Sequence, residues 1–255
     1  MYPNFLNLDF LSSYTVMIIF GIIGCICVYL FQAKRYNIEK TTKENILIVG
    51  IVSGCMMYVG AFLFDAIFHS IKEGRLTYGS ITFLGGMVTA VITFVLVIKY
   101  LLPYHKRNIL FFINTIIPGV VLAHSLGRIG CFLVGCCYGK ETTSSFGVTF
   151  KPGSDAYFAL GPNHSVLPTQ LYEAIFLFIL FIVLIIVKRK QFIIYLFSYG
   201  TFRFILEFFR GDDRGEFFIV TPSQFLSICL IILGIYILIK KPDETYHPVI
   251  ESKKL

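Results

Sequence analysis

Residues 10–33 read FLSSYTVMIIFGIIGCICVYLFQA, an unbroken run without a single Asp, Glu, Lys or Arg. At about 1.5 Å of rise per residue such a run crosses the roughly 30 Å hydrocarbon core of a bilayer as a helix. Four more runs of the same kind follow, at Asn45 to Phe64, Leu76 to Ile98, Asn108 to Gly127 and Phe217 to Ile239. Two further segments are as long and nearly as apolar: Pro168 to Val187 carries Glu173, and Gln191 to Phe209 carries Arg203 and Glu207. Charge inside a membrane helix usually marks function, so both count as spans. The expected fold is all-α, a polytopic integral membrane protein with about seven transmembrane helices.

Composition agrees. Hydrophobic residues make up 56% of the 255-residue chain and charged residues 15%, against about 25% charged in ordinary soluble domains; the mean hydropathy is +0.76. On such a chain a net charge of +7 reports membrane topology and attraction to anionic headgroups, not nucleic acid. Lys34, Arg35, Lys40 and Lys43 follow the first span; Lys99, Lys106 and Arg107 lie between the third and fourth; Lys188, Arg189 and Lys190 follow the fifth; Lys240, Lys241, Lys253 and Lys254 follow the seventh. The positive-inside rule puts these 14 of the 22 basic residues in the cytoplasm, with the N-terminus outside and the C-terminus inside. No basic residue precedes the first span and no small-residue cleavage site follows it, so it reads as a retained helix and not a signal peptide. Without repeats or low-complexity tracts, residues 1–240 are expected to form a single transmembrane domain with a long outer loop at 127–168, and 241–255 a short cytoplasmic tail.

The polar chemistry gathers in two places. His124-Ser125-Leu126-Gly127-Arg128-Ile129-Gly130-Cys131-Phe132 continues through Gly135, Cys136, Cys137 and Gly139, glycines that let backbone approach backbone or a ligand. An arginine at membrane depth costs about 2.5–3.5 kcal/mol on insertion scales unless an anion or water meets it, and a lipid phosphate is one such anion. A structural Arg–Glu pair within the bundle is the alternative. Arg203 and Glu207 stand four apart in the sixth span, on one helical face, with Arg210 three further on. A guanidinium presents a planar fork of donors suited to phosphate oxygens, so Arg128 and Arg203 together could clamp one phosphodiester.

These stretches resemble the prolipoprotein diacylglyceryl transferases of bacteria. Gly127-Arg128-Ile129-Gly130-Cys131-Phe132 with Gly135 and Gly139 is similar to that family's Gly-Arg-x-Gly-Asn-Phe signature with its following Asn-Gly-Glu and closing Gly. Pro168-Thr169-Gln170-Leu171-Tyr172-Glu173 is similar to its Pro-Ser-Gln-Leu-Tyr-Glu, and Arg203-Phe204 through Glu207-Phe208-Phe209-Arg210 supports the match. The resemblance implies an enzyme of the bacterial plasma membrane whose site faces the outer leaflet. It would move the diacylglyceryl group of phosphatidylglycerol to the lipobox cysteine thiol of a preprolipoprotein and release glycerol phosphate, with no metal or other cofactor. It further implies that Arg128 and Arg203 grip the phosphate with Glu207 orienting one of them, and that Gly130, Gln170, Tyr172, Glu173 and Arg210 help to shape the substrate site.

Three positions depart from that pattern. Leu84, before Gly85-Gly86, stands where the family has a histidine, and Cys131 and Cys136 replace an asparagine and a glutamate. Leucine takes no proton, so the base must lie elsewhere or the acceptor must differ. His124, one helical turn before Arg128, is the replacement candidate, since neutral imidazole accepts a proton near physiological pH; a packing histidine is the alternative. His164 and His69 lie on the outer side, Asp65 late in the second span, while His105 and His247 fall on the cytoplasmic side. Cys25, Cys27, Cys55 and Cys229 lie in spans and read as packing residues. Cys131, Cys136 and Cys137 have ligand types for zinc but lack paired C-x-x-C spacing, so packing or a disulfide are the simpler readings and no metal is expected. Competing functions are a related transferase with another extracytoplasmic acceptor, such as a glycan hydroxyl, a noncatalytic lipid binder, an anion transporter and a thiol redox carrier.

Overall fold

The computed structural model describes residues 12–73, 83–211 and 220–248, with the side chains of 65, 68, 69, 71–73, 83 and 84 left undescribed. Asp65, His69 and Leu84 therefore lie outside the described side chains. The chain is helical throughout: α1 Ser13–Arg35, α2 Lys40–Glu73, α3 Phe83–Leu101, a 3-10 turn Pro103–Asn108, α4 Ile109–Val134, the two-residue strand β1 Val148–Thr149, α5 Asp155–Leu160, β2 Ser165–Val166, α6 Thr169–Ile186, α7 Gln191–Leu206, a 3-10 turn Glu207–Phe209 and α8 Pro222–Lys240.

Six stretches of the described residues are long and apolar enough to cross a membrane, namely Ser13–Arg35, Lys40–Phe64, Pro103–Val134, Thr169–Ile186, Gln191–Phe209 and Pro222–Lys240, and Gly85–Leu101 is a shorter apolar helix. A helix satisfies its own backbone polar groups, which hydrocarbon cannot do. Large apolar side chains accordingly point outward, as Phe20, Ile22, Ile23 and Phe31 do on α1 and Ile175, Ile179 and Ile186 on α6. The chain is a multi-pass, all-α membrane protein.

One boundary differs from the sequence reading. The fourth span does not end at Gly127 before the charge; α4 runs on to Val134, so Arg128 and Gly130 sit on a helix and the connection that follows is correspondingly shorter. The helix tolerates the arginine because a carboxylate on α6 meets it, as described below.

The contacts divide the chain into two compact units, Met1–Gln32 with Asn114–Pro242, and Ala33–Ile113 with Asp243–Leu255. In the first, α1 and α4 approach through small residues. A Cβ at Gly119 would lie 2.8 Å from the Cys25 carbonyl oxygen, and one at Gly21 3.2 Å from that of Ala123, the close backbone approach on which helix association in lipid relies. Beyond α4 the chain folds a small subdomain: β1 and β2 pair antiparallel, Val148 opposite Val166, and Phe150, Ala156 and Val166 form a core with Phe132, Tyr138 and Leu160 packed on it. Ser154 caps α5 by accepting from the Tyr157 N–H. Thr221 and Gln224 form a capping box at the start of α8.

In the second unit α2 lies against α3, where a Cβ at Gly86 would come 2.7 Å from the Met57 carbonyl oxygen. The tail after α8 has its own anchor. Asn108 donates to the His247 carbonyl at 2.8 Å and accepts from the His247 N–H at 2.9 Å, and Tyr246 stacks on Phe111 at 5.1 Å. Asp243 accepts from the Thr245 hydroxyl and N–H, bonds that, with His247 beside it, hold its carboxyl down to about 2.

Candidate active site

Three helices of the first unit, α4, α6 and α7 with its 3-10 extension, bring ionisable side chains to one buried place. Glu173 comes from the N-terminal part of α6, past its first turn, and is fully buried. Its Oε2 lies 2.9 Å from Arg128 Nε; its Oε1 accepts the Tyr199 hydroxyl at 2.9 Å and lies 3.7 Å from His124 Nε2. His124 and Arg128 share one face of α4, one turn apart. The His124 ring meets Tyr199 edge-on at 5.2 Å, and Tyr199 stacks on Tyr195 at 5.5 Å.

The second centre is continuous with the first, since Arg203 is within electrostatic reach of both Glu173 and His124. Arg203 Nη1 lies 2.7 Å from Glu207 Oε2, and its Nη2 donates to the Ser223 hydroxyl of α8 at 2.7 Å. Tyr195, Tyr199, Arg203 and Glu207 follow one another at intervals of four and are all buried, so a single face of α7 and its 3-10 extension carries the set.

Each arginine thus has a resident carboxylate, which the low dielectric of a bundle demands of a buried charge. Arg203 has partners at both terminal nitrogens, whereas Arg128 does not. Arg128 meets Glu173 through Nε, and among the described residues no hydrogen bond engages its two terminal nitrogens, whose side chain retains 13% exposure. Held at Nε, the guanidinium keeps its terminal donors for another partner, and such a planar pair suits an anion. The terminal nitrogens of Arg128, with the positive charge of Arg203 close by, can bind a phosphodiester, and a neutral imidazole at His124 can accept a proton.

The other sequence candidates fall around this centre. Gln170 is fully buried and donates through Nε2 to the Cys136 carbonyl at 2.6 Å, tying the signature loop to α6. A Cβ at Gly130 would lie 3.0 Å from the Tyr14 ring, so Gly130 faces α1. Tyr172 is half-buried. Arg210 is buried at the end of α7's extension, where its backbone bridges to Gly139. His164 lies on the exposed outer connection, 3.3 Å from Glu141. His105 is buried against Tyr104 and Phe112, and His247 belongs to the anchored tail.

Sequence reading passed over Tyr199, Tyr195 and Ser223. The tyrosines left a signal, their four-residue spacing upstream of Arg203; Ser223 left none beyond its place at the start of α8.

The sequence profile of the family described as "Prolipoprotein diacylglyceryl transferase" matches residues 3–240. The chain is 33% identical over 241 residues to the phosphatidylglycerol–prolipoprotein diacylglyceryl transferase of Clostridium tetani, covering 88% of this chain and 91% of that protein. It is 35% identical over 240 residues to the phosphatidylglycerol–prolipoprotein diacylglyceryl transferase 2 of Clostridium perfringens, covering 88% of each. With the corresponding transferase of Rickettsia bellii it shares 36% identity over 253 residues, covering 89% of this chain and 88% of that protein.

Proposed function

The chain belongs to the prolipoprotein diacylglyceryl transferase family, and from that premise we propose that it transfers the diacylglyceryl group of phosphatidylglycerol to the lipobox cysteine of a preprolipoprotein. The observation that carries this reading is the joining of Arg128 and Arg203 around Glu173 in one buried centre. A phosphodiester is the charge and shape such a pair of guanidiniums fits.

In the reaction, the acceptor sulfur bonds to the glyceryl carbon while that carbon's bond to the phosphate oxygen breaks. Glycerol phosphate leaves with the bonding electrons, and the thiol proton goes to a base. Negative charge grows on the phosphate as the bond breaks, so donors aimed at its oxygens lower the barrier. Arg128 and Arg203 supply them. Glu173 and Glu207 hold the two guanidiniums at fixed angles, which removes the cost of arranging them during the step. His124 is the proton acceptor of this scheme, since the thiolate and not the thiol is the nucleophile and among the described residues its imidazole is the histidine that reaches the centre. Basic loops on the opposite side support a plasma-membrane enzyme whose site opens to the outer leaflet.

The test is mass spectrometry on the purified protein in phosphatidylglycerol bilayers with a lipobox peptide, following peptide mass and free glycerol phosphate together. A peptide gaining one diacylglyceryl group is expected, with loss of both signals in Arg203→Ala. Headgroup release that needs a cell-envelope extract and leaves the peptide unmodified would reassign the acceptor; no release under any condition would sink the transferase reading.

A further inference from the structure

The loop that leaves α4 gathers three sulfur atoms that the transfer scheme does not use. The Sγ atoms of Cys131, Cys136 and Cys137 all lie within 4.8 Å of one another, Cys131 buried and the other two partly so. The backbone brings them there. The N–H groups of Gly135 and Cys136 both donate to the Cys131 carbonyl, at 2.9 and 3.1 Å, folding the chain back over the end of α4. Gly135 takes φ 84° at that reversal, where only glycine is unstrained.

Cys137 is also left-handed, at φ 62°, a conformation that costs a non-glycine residue energy and persists where surroundings hold it. They do so here. Gln170 Nε2 donates to the Cys136 carbonyl at 2.6 Å and the Thr169 hydroxyl to the Cys137 carbonyl at 3.1 Å. Both ties use carbonyl oxygens and so fix the loop, while Cys136 Sγ turns back to the Cys131 carbonyl at 3.7 Å.

We propose that Cys131, Cys136 and Cys137 form a three-thiolate site for one thiophilic metal ion of the Zn2+ or Cu+ class. A zinc–sulfur bond of about 2.3 Å places ligand sulfurs roughly 3.8 Å apart in a tetrahedron and roughly 4.0 Å apart in a plane, within the spacing the loop already holds. Soft thiolates select these ions over harder ones. A disulfide uses the group less well. Cys136 and Cys137 are neighbours, and consecutive Cα atoms stand about 3.8 Å apart, short of the roughly 4.4–6.8 Å a disulfide spans. Any bridge would therefore pair Cys131 with one of them and leave the third thiol over.

The test uses the full-length protein, purified under reducing conditions and then freed of reductant and metal. Cd2+, a spectroscopic stand-in for Zn2+, is titrated while thiolate-to-metal charge transfer is followed in the near ultraviolet; Cu+ is titrated against a chromophoric chelator. Saturation at one ion per chain by at least one probe is expected, and mapping of alkylated peptides should show Cys131, Cys136 and Cys137 shielded by the ion while the exposed Cys27, Cys55 and Cys229 react. Cys131→Ser, Cys136→Ser and Cys137→Ser should each weaken binding by more than the roughly 10–100-fold that a change outside the ligand sphere costs. No saturable binding by either probe, protection that falls on other cysteines, or a resting disulfide from Cys131 to Cys136 or Cys137 would each overturn the proposal. Because protection is read on the unmutated protein, a serine variant that fails to fold leaves the test intact. None of these readouts depends on the transferase reaction.

Discussion

Tyr199 donates its hydroxyl proton to Glu173 Oε1 at 2.9 Å, the oxygen that His124 also approaches, while Arg128 occupies the other side of the same carboxylate. One buried acid therefore sets the positions of a cation, an imidazole and a phenol drawn from two other helices. The consequence is mechanical as well as electrostatic: any change at Glu173 moves three groups at once.

Arg128→Ala leaves that carboxylate buried without its cation, a loss of about 3–5 kcal/mol for a broken buried pair. The double variant Arg128→Ala with Glu173→Gln removes both charges and should regain most of the thermal midpoint in detergent. Turnover should stay absent in both. A double variant that is stable and still releases glycerol phosphate at the normal rate would make the pair purely structural.

Tyr199→Phe keeps the ring and removes one hydrogen bond to a charged acceptor, typically about 1.5–3 kcal/mol. A fall in kcat/KM of about 10-fold or more is expected by the conversion of that energy to rate. Tyr195→Phe is the control. Its ring stacks on Tyr199, and its loss of a hydroxyl should change the rate far less; equal losses in the two variants would show that ring packing, not the bond to Glu173, carries the effect.

The spans were legible because the bilayer demands long apolar helices and little else has that pattern. The end of α4 was misread at Gly127 because the charge of Arg128 is neutralised by Glu173, a partner in another helix that local sequence cannot reveal. Gln170 lay within a recognisable motif, yet its partner is the Cys136 carbonyl, a backbone atom that no residue type advertises. Tyr199 is one of 15 tyrosines in an aromatic-rich chain. Only the spacing of Tyr195, Tyr199, Arg203 and Glu207 distinguished it, and that ladder becomes meaningful once Arg203 is known to face inward. The thiol cluster was discounted on spacing, because a helix end that doubles back brings together sulfurs which linear counting keeps apart.

Helix association makes a separate prediction. An added Cβ at Gly119 would sit 2.8 Å from the Cys25 carbonyl oxygen, a backbone atom that cannot swing aside, whereas one at Gly50 would meet nothing within 4 Å. Gly119→Ala should therefore lower the thermal midpoint and the yield of folded protein. Gly50→Ala, in the middle of α2, should be neutral or stabilise by up to about 1 kcal/mol through helix propensity. Equal behaviour of the two in detergent unfolding would contradict the α1–α4 contact.

The metal proposal carries its own pH dependence. Cys136 lies just beyond the membrane-spanning part of α4, and hydrogen bonding with Cys131, then with Cys137, together with burial, raises its thiol well above the ordinary range. A raised thiol is protonated at neutral pH, and a metal ligand must be thiolate, so each ion that binds displaces protons. Apparent affinity for Cd2+ should then go on climbing with pH past about 8.5, where ligation by ordinary thiols would level, and loading should acidify a weakly buffered solution. Three thiolates outweigh the charge of Zn2+ by one, and this excess would sit beside Arg128. On the phosphate assignment of that arginine, zinc loading should raise KM for phosphatidylglycerol with little change in kcat. An affinity flat with pH would mean the thiols are already ionised, whereas an unchanged KM in fully loaded protein would place the sulfur cluster outside the reach of the donor headgroup.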